Sequence, residues 1–326
     1  MRILLIILLA LAQANSVAQS QAPAFDELAG HYDYDRQPDL DFTEVGVEMR
    51  GKVMVLDLLY KGDSEARVPA YLVVPKGEGP FAGIVWGHWM MDGSPMRNRR
   101  EFLEEAVVLA RSGVVSLLID LPEVRPGFVA KDVQKEPLEW AIQQSEVSRQ
   151  TVVDLRRGLG LLLNHRHVDP KRVAYVGHSF SAHTGAILAG VEKRIQNFVL
   201  MAGAYSDEEF VRASNRPEIV AWRAQVGGPK VDQYFRQYAW DDPVNFVGHT
   251  DADNIFLQFA TGDGVSPAEA QRELSRFSAS SKQSKVYDAG HALNSAARVD
   301  RDRWLQHVLK LKTVDEKALG EIPQLK

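Results

Sequence analysis

Residues 172–189 read RVAYVGHSFSAHTGAILA. The run Val173 to Val176 is short and apolar, as expected of a strand covered on both faces. Gly177, His178, Ser179, Phe180 and Ser181 interrupt it, and a helix-compatible stretch then continues through Ala189. A serine therefore stands on a strand-to-helix turn. A sharp turn at that point pushes the hydroxyl out of the sheet, and the helix N-terminus behind it favours developing negative charge. Small residues are required two positions to either side, because strand and helix backbones approach closely there. Gly177 meets the requirement, and Ser181, which stands where a second glycine is usual, is small enough to tuck against the turn.

The same texture extends in both directions. Gly83 to Gly87, Val114 to Leu121, Phe198 to Met201 and Ile255 to Phe259 are further short apolar runs bounded by turn residues. Between them, Arg99 to Arg111 carries Phe102, Ala106, Val107 and Leu109 at helical spacing, and Val147 to His165 carries Val152, Val153, Leu155, Leu159 and Leu162 on one stripe. This β-then-α order predicts an α/β protein with a mostly parallel central sheet, right-handed crossovers and helices on both faces. Ahead of it, Val53 to Tyr60 and Val68 to Val74 flank the turn residues Lys61, Gly62, Asp63 and Ser64, which reads as an antiparallel N-terminal hairpin. Residues 204–250 form a small insertion after the sixth strand, partly helical and rich in aromatics such as Phe210, Trp222, Tyr234 and Trp240. A lid over a site and a packed excursion are the two readings of that segment.

The N-terminus is of a different kind. Arg2, the aliphatic run Ile3 to Ala12 and the small residues Ser16 and Ala18 have the order of a secretory signal, expected to end at residue 18. The apolar run is about half the ~20 residues a membrane span needs, so no stable membrane anchor is expected after signal removal, and the expected location is periplasmic or secreted. Residues 19–41 read as a solvated arm, and 42–326 as one domain. Asp33, Asp35, Asp39 and Asp41 do not make a calcium loop, because Pro38 occupies the position where the loop needs glycine.

Composition narrows the chemistry. Of the 326 residues 45% are hydrophobic and 25% charged, which suits a globular protein with a large core. Lys and Arg number 38 against 43 Asp and Glu, a net charge of −5, which is not the basic surplus of a nucleic-acid binder. The absence of cysteine removes disulfides, cysteine-based metal centres and thiolate nucleophiles.

On the turn around Ser179, the sequence resembles the α/β-hydrolase superfamily over roughly residues 45–312, and more narrowly its secreted dienelactone-hydrolase-like and acetyl-esterase-like serine hydrolases. That resemblance implies a chain order of nucleophile, acid and histidine, each just after a strand. After Asn254 to Ala260 come Thr261, Gly262, Asp263, Gly264, Val265, Ser266 and Pro267, similar to the family's acid loop; after Lys285 to Asp288 come Ala289, Gly290 and His291, similar to its histidine loop, with Ala292 and Leu293 opening a final helix. Ser179, Asp263 and His291 are then the implied triad. A serine hydroxyl needs an imidazole to take its proton, and the imidazole needs a carboxylate to set its tautomer and offset its charge.

The oxyanion of an acyl-transfer intermediate needs two fixed donors. The resemblance implies the Phe180 N–H for one. The other belongs to the loop Gly87, His88, Trp89, Met90, Met91, Asp92, where the family's usual His-Gly order is inverted, so the donor is Trp89 or Met90, with Trp89 favoured. Trp89, Met90 and Met91 are candidates for an apolar substrate pocket; His88 reads as a structural residue orienting the loop, and Trp86 as core. Asp207, following the Phe198 to Ala202 strand, is a rival acid, because some hydrolases carry the carboxylate one strand earlier. His165 and His167 read as surface residues at a helix C-terminus and not as a metal pair, and His178, His183, His249 and His307 receive no role beyond packing or solvent contact.

The function expected is hydrolysis of carboxylic esters through an acyl-enzyme, on a small-molecule ester or related acyl substrate, with no metal or organic cofactor. The alternatives are a secreted peptidase on the same fold and a catalytically inactive hydrolase-fold binding protein, the latter motivated by the missing elbow glycine and the inverted Gly87, His88 pair.

Overall fold

The computed structural model describes residues 23–36, 41–63 and 67–324. The segment read as a signal, residues 1–18, lies outside them, as does Ser64 of the expected hairpin turn. In chain order, the first half contains α1 (Phe25–Gly30), β1 (Phe42–Arg50), β2 (Val53–Lys61), β3 (Arg67–Pro75), β4 (Phe81–Gly87), α2 (Leu103–Ala110), β5 (Val114–Ile119), α3 (Pro137–Asn164) and β6 (Val168–His178). The second half contains α4 (Phe180–Val191), β7 (Asn197–Met201), α5 (Asp207–Ala213), α6 (Pro217–Val226), α7 (Gly228–Gln237), α8 (Val244–Val247), β8 (Asn254–Ala260), α9 (Pro267–Ser275), β9 (Ser281–Tyr287), α10 (Ser295–Val308) and α11 (Glu316–Glu321).

One sheet runs through the described residues in the order β1-β2-β3-β5-β4-β6-β7-β8-β9. β1, β2, β3 and β5 pair antiparallel in turn, and every pairing from β5–β4 to β8–β9 is parallel. The apolar runs are continuous because helices cover both sides of the sheet. Along β7, Phe198 and Leu200 face the core shared with α3, α4 and α9, whereas Val199 and Met201 face the one shared with α2 and α10. The chain builds away from β4 toward β5, then returns to β6 on β4's other edge and continues outward to β9. That reversal puts a topological switch point at the carboxyl ends of β4 and β6, the usual place for a ligand site in an open α/β sheet.

Four expectations need correction. β1 extends the hairpin to an antiparallel meander, so the insertion follows the seventh strand and not the sixth. Its apolar residues, Val45, Val47 and Met49 among them, are exposed, so no buried-strand pattern marked it. The arm at 19–41 is not simply solvated: Leu28 and Tyr32 are buried, the Tyr32 hydroxyl donates to the Trp240 carbonyl at 2.6 Å, and the Phe25 ring stacks on His249 at 3.9 Å. Phe25, Leu28 and Tyr32 share one helical face, a spacing masked by the neighbouring aspartates. The helix placed at Arg99 begins only at Leu103; the residues before it form turns in which the Arg99 and Arg100 N–H groups donate to the Asp120 and Asn98 side chains. After His291, Leu293 takes a left-handed φ of 58°, and the helix opens at Ser295 under an Asn294 cap that accepts from the Ala297 N–H. It is not the last helix, since α11 follows.

Candidate active site

Ser179 links β6 to α4 with φ 57° and ψ −114°, a left-handed conformation that side chains other than glycine rarely adopt. Its N–H donates to the Met201 carbonyl at 2.7 Å, tying the turn to the end of β7. Close approach fixes the neighbours: a Cβ on Gly177 would lie 2.2 Å from the Ser181 carbonyl oxygen, and one on Gly87 would lie 2.6 Å from the Ser181 Cβ. The serine that replaces the second glycine uses this proximity. Its hydroxyl donates to the His88 carbonyl at 2.7 Å, binding the elbow to the loop after β4, and its own carbonyl accepts from the Tyr175 hydroxyl at 2.7 Å.

Ser179, His291 and Asp263 meet on the carboxyl rim of the sheet. His291 Nε2 lies 2.7 Å from Ser179 Oγ, and His291 Nδ1 lies 2.9 Å from Asp263 Oδ2. The loops bearing the acid and the histidine are joined directly, as the Gly262 N–H donates to the Ala289 carbonyl at 2.8 Å. Glycine is required there, since a Cβ on Gly262 would sit 2.6 Å from that same oxygen. The next turn is closed by Gly264 at φ 77°. The side chains of Asp263 and His291 are partly open to solvent, at 16% and 28% exposure, so the constellation faces a surface that substrate can reach.

The rival acid, Asp207, is placed elsewhere. Its Oδ1 lies 3.3 Å from Nδ1 of His183 on α4, and the opposite ring nitrogen faces Asp241 Oδ1 at 3.7 Å. Burial alone would lower the His183 pKa, but Asp207 and Asp241 outweigh it and hold the ring well above the ordinary imidazole value. The ligand atoms of these three residues lie within 4.8 Å of one another. Each carboxylate faces its own ring nitrogen, however, which is the geometry of an ion-paired imidazolium and not of donors converging on one ion.

The loop after β4 departs from expectation. The Trp89 N–H, favoured as the second oxyanion donor, donates to Glu101 Oε2 at 2.6 Å and is committed there. The Met90 N–H, the other expected donor, has no acceptor among the described residues, and neither has the Phe180 N–H. The Trp89 ring is buried and stacks on His178 at 5.0 Å, so it supports the site from beneath instead of lining an open pocket. Met90 is half-buried and Met91 exposed. His88 Nε2 accepts from the Leu121 N–H at 3.1 Å, so Nδ1 carries the proton and donates to the Trp89 carbonyl at 2.7 Å; burial lowers this imidazole to about 3, and it holds the loop as a neutral ring. Trp86 is core, stacked on Phe102 at 5.0 Å.

Two residues at the site were not anticipated. His178, adjacent to the serine, places Nδ1 2.6 Å from Glu101 Oε1 and Nε2 2.9 Å from the His291 carbonyl oxygen. The one signal in the sequence was a histidine ending an otherwise apolar strand. Glu101 carried none, since it fell in a stretch read as an amphipathic helix.

No protein-family model matches the sequence, and no curated protein does. Among solved structures, the chain is similar to acetyl xylan esterase 1 from Thermoanaerobacterium sp., with a TM-score of 0.69, 20% identity, and 89% of this chain and 94% of that one covered. It is also similar to an acetyl xylan esterase from Paenibacillus sp. R4, with a TM-score of 0.69, 16% identity, and coverage of 87% and 93%. A dienelactone hydrolase from Anabaena variabilis aligns with a TM-score of 0.50 at 16% identity over 80% of this chain and 100% of that one. At such identities, what is shared is the fold.

Proposed function

From the α/β-hydrolase fold and the site it carries, we infer that the protein is a serine hydrolase cleaving carboxylic esters through an acyl-enzyme. The observation that carries the reading is the continuous hydrogen-bonded line from Ser179 Oγ through both nitrogens of His291 to Asp263, on a serine held at a positive φ. The names of the solved esterases add support for the substrate class.

In this reading Ser179 Oγ attacks the ester carbonyl carbon as its proton passes to His291 Nε2. Asp263 keeps the proton on Nδ1 and offsets the imidazolium charge. The carbonyl oxygen, now negative, accepts from the Phe180 and Met90 N–H groups; Met90 takes the place of Trp89, whose N–H is committed to Glu101. The tetrahedral intermediate collapses, the leaving alkoxide takes the proton from Nε2, and the acyl group stays on Oγ. Water then repeats the cycle with His291 as base, which releases the carboxylic acid and restores the serine.

Ser179→Ala tests this. Hydrolysis of p-nitrophenyl acetate should fall by roughly three to six orders of magnitude, and labelling by a fluorophosphonate should disappear, because both need the same oxygen. Unchanged turnover, with the probe attached at another residue, would overturn the assignment.

A further inference from the structure

We propose that Glu101 and His178 are positioning residues for this site: a buried clasp that holds the oxyanion loop, the elbow and the loop of the base in one fixed relation. The inference rests on the Ser179, His291, Asp263 reading and adds to it the device that aligns its parts.

Glu101 precedes α2, 12 residues after Trp89 and 77 before His178. One carboxylate oxygen accepts from the Trp89 N–H at 2.6 Å, and the other lies 2.6 Å from His178 Nδ1. His178 Nε2 reaches the His291 carbonyl oxygen at 2.9 Å. The Glu101 and His178 side chains are 0% and 1% exposed, so no water competes for these contacts. The proton inventory follows from the partners. A carbonyl oxygen only accepts, so His178 Nε2 carries a hydrogen, and a single further proton lies between Nδ1 and Glu101 Oε1. Ring contacts reinforce the chain: the His178, Trp89 and His291 rings pack as a triangle, with His178 5.0 Å from Trp89 and 5.5 Å from His291, and Trp89 6.4 Å from His291.

Each link has a consequence for chemistry. Tying down the Trp89 N–H fixes the peptide orientation of the loop and leaves the following N–H, that of Met90, for the intermediate. Holding the His291 carbonyl sets the backbone from which the base reaches Ser179 Oγ. Both effects act on geometry that matters at the transition state, where a misplacement of about 1 Å costs on the order of 100-fold.

The experiment compares Glu101→Gln, Glu101→Ala and the double variant E101Q/H178F with the unaltered protein and with Ser179→Ala. Readouts are kcat and KM for p-nitrophenyl acetate, the rate of fluorophosphonate labelling, and the thermal midpoint. Glutamine can accept from Trp89 with its oxygen and donate from its amide to a neutral His178, so E101Q is expected to keep kcat within about fivefold. Glu101→Ala opens the chain and is expected to lose roughly 10- to 100-fold in kcat and in labelling rate, with KM changed by less than about threefold. The double variant buries no charge, so it should fold even if Glu101→Ala does not; it removes the donor to His291 and is expected to lose about tenfold or more in kcat. The proposal is overturned if a folded E101A or E101Q/H178F keeps kcat within about threefold, if the loss falls on KM alone, or if E101Q is as impaired as E101A. A dead Ser179→Ala beside a fully active E101A would remove the clasp and leave the triad standing. An active Ser179→Ala would remove both.

Discussion

Replacing Ser179 by glycine and by alanine separates backbone strain from chemistry. Both variants lose the hydroxyl and its 2.7 Å contact with His291, so that loss cancels in the comparison. What differs is the backbone at φ 57° and ψ −114°, which alanine must hold under strain and glycine adopts freely. Strain of this kind costs about 1–3 kcal/mol per residue. Against it stands the larger entropy glycine loses on folding, about 0.5–1 kcal/mol. The glycine variant should therefore be the more stable by roughly 1 kcal/mol, the reverse of the order at an ordinary position in a helix or strand. With a urea slope of about 3 kcal/mol per molar for a chain of this size, the two midpoints should differ by about 0.3 M with equal slopes. Equilibrium unfolding followed by tryptophan fluorescence measures this directly, and neither variant is expected to be active. An alanine variant as stable as the glycine one, or more so, would mean that the elbow stores no strain and that Ser179 is held by contacts alone.

The His183 ion pairs link α4 to both ends of the insertion, through Asp207 and Asp241, and their contribution should depend on pH. Because the folded pKa is raised, the stabilisation is fully present below the unfolded imidazole value of about 6.5 and is lost as pH rises through the raised folded value. The stability difference between the unaltered protein and His183→Gln should thus be constant in mild acid and shrink in the alkaline range; a difference that grows with pH would contradict the charge assignment. Arg125→Met tests a buried pair elsewhere. Arg125 Nη1 lies 2.6 Å from Asp154 Oδ2, with the two side chains 4% and 0% exposed. Removing the cation strands a buried carboxylate and should cost about 3–5 kcal/mol in urea unfolding, and R125M/D154N should recover much of it, because the amide keeps an acceptor for the Asp63 N–H. No recovery in the double variant would show that packing of the arginine stem, not charge, dominates.

Much of the architecture can be read from local pattern. Strands buried on both faces need unbroken apolar runs, and those around Ile84, Leu117, Val173, Val199 and Phe256 stand out for that reason. Turn chemistry marked the elbow at Ser179, and the resemblance to α/β-hydrolases marked the acid and base loops. β1 escaped because an edge strand with exposed apolar residues has no burial pattern to display. The early placement of α2 followed from helical spacing, which does not distinguish the turns at 99–102 from the helix that starts at Leu103.

By itself the sequence determined the layered α/β order, the serine on its strand-to-helix turn, and the two later loops whose chain order suits an acid and a base. The layered order and the turn follow from periodicity and from backbone demands within a few residues, whereas the two later loops are implied by the resemblance to α/β-hydrolases. The tertiary structure alone decided that the Trp89 N–H is claimed by Glu101 while that of Met90 has no acceptor among the described residues, and that Glu101 and His178 join parts of the site. Such choices depend on hydrogen bonds between segments 77 and 113 residues apart. A backbone donor exchanges one partner for another without changing any local pattern, so only the folded chain shows which acceptor has claimed it.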